Sequence, residues 1–128
     1  MNSTLGIALS GLQANAARVA TASNNIANLR SSGPLDQPQQ AYQPEVTTTV
    51  ALGGGGVTTS ARTVNPATSA AYAPDDPNAN AEGLVAMPNV NLENEIVEQM
   101  SEVIGYKANA GAIRAQNAMD RSLLNLMV

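Results

Sequence analysis

The chain has 128 residues and a formal net charge of −4, with no Cys, His, Phe or Trp. Those absences exclude a structural zinc site, a thiol nucleophile and an imidazole general base, and six scattered basic residues argue against nucleic acid as a partner. The 44% hydrophobic content leans on Ala and Val with only three Tyr, so an elongated molecule stabilised partly by contacts with other subunits is expected.

The first segment, Ser3 to Leu29, reads as a helix with Ser3 as N-cap, weakened at its start by Gly6 and Gly11. Its apolar positions advance in steps of four and three: Leu5, Leu9, Leu12, Ala16, Val19, Ser23, Ile26. Such steps keep side chains on one narrow face, a seam for another helix and not for a broad core. Met1 to Ala20 lacks a basic start followed by an apolar stretch, so if the protein leaves the cytoplasm it is expected to do so without a cleaved secretory signal. No run approaches the ~20 apolar residues of a membrane span.

Ser31-Ser32-Gly33-Pro34 ends the helix. Residues 31–90 are a Pro-, Gly- and Thr-rich linker between the terminal segments 1–30 and 91–128, which are the two halves of one helical domain. Gln43–Val50 and Val57–Val64, rich in Thr and Val, flank Gly53-Gly54-Gly55-Gly56 and predict a β-hairpin. Tyr72 to Pro77 is extended or turning, because each X-Pro disfavours helix before it. Gly83 to Pro88 reads as a short extended passage into the last helix, capped by Asn89 or Asn91.

That helix runs from about Asn91 to Met127 and carries a second stepped series: Leu92, Ile96, Gln99, Val103, Tyr106, Ala110, Ile113, Asn117, Asp120, Leu124, Met127. Glu93, Glu95 and Glu98 near its start suit the helix dipole. Lys107, Arg114 and Arg121 recur every seven residues as a basic ridge beside the seam. No internal repeat is read. The expected class is mainly α: long terminal helices pair as an antiparallel coiled-coil-like domain, with a small irregular β-hairpin and linker between them. The assembly seam is Leu5, Leu9, Leu12, Val19 and Ile26 with Leu92, Ile96, Val103, Tyr106, Ile113, Leu124 and Met127.

Ser23-Asn24-Asn25-Ile26-Ala27-Asn28 closes the first helix. By composition it is a polar helix end around one core Ile. The pattern also resembles the N-terminal signature of bacterial flagellar axial proteins, the rod, hook and hook-associated subunits. Tyr106-Lys107-Ala108-Asn109-Ala110 and the Met- and Leu-rich end resemble their C-terminal motif. Tyr72, the spaced prolines, Gly83 and Met87-Pro88-Asn89-Val90 are similar to the linker of small proximal-rod members of the flagellar basal-body rod protein family. Leu84 and Lys107 depart from that pattern, where tyrosine and glutamine are usual.

The resemblance implies a non-enzymatic structural subunit of the basal body, with no cofactor. It would assemble with copies of itself and other rod proteins around an export channel, near the membrane-ring base and export apparatus, in the periplasmic space. No nucleic acid and no small-molecule substrate are expected. A cytoplasmic coiled-coil adapter or export chaperone is the alternative, and a membrane-surface helix is disfavoured by the acidic balance. Ser, Asp and Glu lack a partner base, and no phosphate or metal motif accompanies them, which argues against an enzyme.

Overall fold

The computed structural model describes residues 2–126. Helix α1 (Asn2–Ala27) leads through a short 3-10 turn (Pro38–Gln40) to strands β1 (Glu45–Ala51), β2 (Val57–Thr63), β3 (Thr68–Tyr72) and β4 (Leu84–Pro88), and helix α2 (Leu92–Leu126) follows. At 1.5 Å per residue, the 26 residues of α1 span ~39 Å and the 35 of α2 span ~52 Å. Helix α1 starts one residue before the expected cap Ser3. Asn91 is the cap of α2: its Oδ1 accepts from the Asn94 N–H at 2.9 Å.

Strands β1 and β2 pair antiparallel from Glu45↔Thr63 to Ala51↔Val57, close to the expected hairpin. Their Val and Thr side chains suit a pleated, half-buried surface. The connecting loop closes with Gly55 and Gly56 at positive φ.

The expectation of a mainly α chain with a small irregular linker is corrected here. The middle holds four strands in two antiparallel two-stranded sheets, so the fold is α plus β. The second sheet pairs β3 with β4 from Thr68↔Pro88 to Tyr72↔Leu84. Gly33 adds a bridge on the other edge of β4, exchanging 2.9 Å hydrogen bonds with Ala86 in both directions. This pairing was illegible because TSAAY is poor in β-formers and an 11-residue, Pro-containing connection (residues 73–83) separates it from LVAMP. Strand β4 lies at the centre of that sheet, and Val85 and Ala86 are buried.

The helices run antiparallel. Asn25 meets Glu95, Ser23 meets Gln99, and Arg18 meets Glu98 and Glu102. Hairpin β1–β2 lies along one side of α1: the Ser10 hydroxyl accepts from the Val57 N–H at 3.1 Å, and the Thr21 and Thr47 hydroxyls are 2.7 Å apart. Buried apolar side chains on α1 are small, namely Ala8, Ala14 and Ala22.

Candidate functional site

Glycine and asparagine meet across the helix pair. A Cβ on Gly11 would lie 2.6 Å from the Asn109 amide nitrogen, and a Cβ on Gly105 would lie 2.6 Å from that of Asn15. Each helix thus offers a bare backbone patch on which the other lays an amide. The two helices carry the same unit, Gly11-Leu12-Gln13-Ala14-Asn15 and Gly105-Tyr106-Lys107-Ala108-Asn109. In an antiparallel pair the two units meet reciprocally, Gly to Asn and Asn to Gly. The shared unit is a local match of three residues in five. Its Gly-x-x-Ala-Asn spacing was the signal that could have revealed it.

Charge closes the next stretch. Arg18 Nη2 sits 2.8 Å from Glu98 and its Nε sits 3.1 Å from Glu102. Glu102 is only 8% exposed, so Arg18 neutralises a carboxylate that water barely reaches. Sequence reasoning did not single out this contact, because Arg18 and Glu102 are 84 positions apart in the chain.

Asn25, 1% exposed, ties three segments together. Its Nδ2 donates to the Glu45 carbonyl at 2.8 Å and to Glu95 Oε1 at 2.9 Å. Its Oδ1 accepts from the Glu45 N–H at 3.1 Å and from the Tyr42 hydroxyl at 3.0 Å. All four hydrogen-bonding positions of the amide are filled. Burial raises the Glu95 carboxyl above its ordinary value and Glu98 adds to the rise, while the bond from Asn25 opposes it. Burial likewise raises Tyr42, reinforced by Glu45 and Glu95.

The other motif residues hold local turns. Asn28 donates through its N–H and its Nδ2 to the Asn24 carbonyl, ending α1, with Ala27 exposed. Gly83 has φ +75, and a Cβ there would lie 2.8 Å from the Tyr72 ring. Pro88 is buried at the end of β4. The Asn89 N–H donates to the Ala67 carbonyl at 2.8 Å and its Nδ2 to the Pro66 carbonyl at 3.0 Å. Asp76 accepts from the Ser32 hydroxyl at 2.7 Å and from the Asn78 N–H at 2.8 Å, holding the turn after Pro74.

The stepped apolar series lies outside these closures. Leu9, Leu92, Ile96, Val103, Tyr106 and Leu124 are exposed, and Leu5, Leu12, Val19, Ile26 and Ile113 are half-buried. Met127 lies outside the described residues. Val19, Val103 and Tyr106 come together, with Ala16, Ala20 and Lys107, around an open groove of about 440 Å³. On a helix of 3.6 residues per turn, Ala16 and Val19 point away from Ser10 and Thr21, which meet the hairpin, and Ala20 lies about a quarter-turn from them. The hairpin therefore covers one side of the pair and the apolar groove opens on the other. The structure does not gather Leu92 or Leu124 into that groove.

A family model described as "Flagella basal body rod protein" matches residues 5–33, most of α1 and its terminating turn. The flagellar basal-body rod protein FlgC of Salmonella typhimurium is 34% identical over 125 residues, covering 94% of this chain and 92% of that one. FlgC of Escherichia coli O157:H7 is 35% identical over 126 residues with the same coverage. FlgC of Borreliella burgdorferi is 28% identical over 146 residues, covering 98% and 96%. The chain belongs to the FlgC family of flagellar basal-body rod proteins.

Proposed function

We propose that this chain is a structural subunit of the flagellar rod. It assembles through its terminal helices with copies of itself and with other rod proteins, around the export channel and within the periplasmic space. Its activity is rigid packing and it performs no catalysis. The observation that carries this reading is the division of labour in the helix pair. Glycine, asparagine and one ion-pair cluster close the pair, which leaves the apolar stripes of both helices outward on the face opposite the hairpin. Exposed apolar patches of this kind mark surfaces that other protein covers.

Full burial of each such side chain contributes roughly 1.5–3 kcal/mol, a gain available only when neighbours arrive. The test is genetic. In a strain lacking this chain, swimming and rods beyond the inner-membrane ring are expected to be lost and to return with the chain restored. Val103→Asp or Ile113→Asp, restored in its place, is expected to leave synthesis intact and block rod completion. A motile, fully assembled knockout defeats the reading, and normal filaments in both variants defeat the seam. Retention of the chain inside the cell favours the adapter or chaperone alternative.

A further inference from the structure

We infer that the overhanging end of α2, residues 118–126, seats in the open groove of a second copy, so that copies join head to tail. This rests on the rod reading for its setting, and it names which segment meets which surface.

The overhang follows from register. Gly11 faces Asn109 and Asn15 faces Gly105, which brings Asn2, the start of α1, level with Ala118. The rest of α2, ~13 Å of helix, extends past the described start of α1. Met119, Leu123 and Leu126 are spaced i, i+4, i+7 on that overhang and share one stripe. All three are exposed, Leu126 at 84%. A stripe with this spacing fits a trough between two helices.

The groove has the matching character. It is apolar along Ala16, Val19, Ala20, Val103 and Tyr106, with Lys107 as its one charged lining residue. Lys107 makes no ion pair among the described residues. Asp120, between Met119 and Leu123, uses one carboxylate oxygen to accept from Gln116 and can turn the other toward a cation. The complement is therefore an apolar stripe on an apolar trough, with Asp120 set against Lys107. The occupant cannot be the same chain. On one straight helix, residue 118 lies ~16 Å beyond Lys107 and cannot fold back into the groove. Because stripe and groove are different surfaces, the contact is heterologous and repeats without using itself up.

The chain has no cysteine, which makes the test direct. Val19→Cys and Leu123→Cys are introduced into separate full-length copies, mixed in concentrated solution and oxidised. Disulfide heterodimers are expected several-fold more often than from Leu123→Cys mixed with Val50→Cys, an exposed site on the hairpin. Equal yields overturn the inference. Lys107→Asp alone and Asp120→Lys alone are each expected to weaken association, read by analytical ultracentrifugation, by about fivefold, with recovery when one chain carries both. Additive loss in the double variant overturns the charge pairing. If cross-linking fails while the unsubstituted chain restores rods to the knockout, this contact falls and the rod reading stands. If cross-links form but the chain restores no rods, the contact stands and the rod reading falls.

Discussion

Gly105 and Asn15 allow a sharp test of how the helices are held. A Cβ added at Gly105 would sit 2.6 Å from the Asn15 amide nitrogen, well inside ordinary contact. Overpacking of this kind costs about 1–3 kcal/mol, while replacing a mid-helix glycine by alanine contributes ~1 kcal/mol of helix propensity. Gly105→Ala is therefore expected to be neutral to about 2 kcal/mol destabilising. With Asn15→Ala already in place the obstacle is gone, and the same change is expected to stabilise by ~1 kcal/mol. The coupling between the two sites is then about 1–3 kcal/mol. Urea unfolding of the four chains, followed by far-UV circular dichroism, measures it. Gly111 is the control: nothing lies within 4 Å of a Cβ there, so Gly111→Ala is expected to stabilise in every background. The mirror pair, Gly11 and Asn109, is expected to repeat the pattern. Equal stabilisation by Gly105→Ala with and without Asn15 would refute the reciprocal packing.

Other perturbations reach the remaining closures. Asn25→Ala strips partners from Tyr42, Glu95 and both backbone groups of Glu45, and is expected to cost about 2–4 kcal/mol by urea unfolding and to speed amide exchange in β1. Arg18→Ala leaves Glu102 charged and shielded from water, at a cost of about 1–3 kcal/mol, and adding Glu102→Gln is expected to recover much of it in the same assay. The raised Glu95 carboxyl is disfavoured in its charged form. The stability linked to it is complete below its ordinary value and declines as pH rises through the higher folded value. Glu95→Gln, which keeps an acceptor for Asn25, is expected to gain on the parent at neutral pH and to match it in acid. Asp76 has the opposite sign: the Asn78 N–H and Ser32 hydroxyl lower it, so its contribution is present above its ordinary value and lost as pH falls through the lower one. Asp76→Asn is expected to remove that acid-side slope in a pH series of unfolding curves.

Both helices, the first hairpin and the Asn91 cap were legible because each rests on local chemistry: spacing, turn glycines and a capping amide. The extended run of β4 was legible as well, but strand β3 and its pairing with β4 were not, since in TSAAY only Thr68 and Tyr72 favour strand and the partner lies beyond a long connection. The stepped series runs along one face of each helix, and Gly11, Asn15, Gly105 and Asn109 lie beside it. Periodicity reports which residues are apolar. It is silent on Gly11, Asn15, Gly105 and Asn109, whose value lies in what a missing Cβ admits. Asn25 stood inside a motif legible in the sequence, yet its partners Tyr42, Glu45 and Glu95 come from distant segments, and no local rule joins them.

The Asn25 junction also bears on how the molecule responds to force. Helix α1, the start of β1 and the start of α2 converge on one amide, and sliding the sheet layer past the helices strains its three bonds to Tyr42 and Glu45 together. A joint loaded in parallel holds its shape until every bond yields at once. Under shear such a unit stays stiff and then yields abruptly, without creeping beforehand.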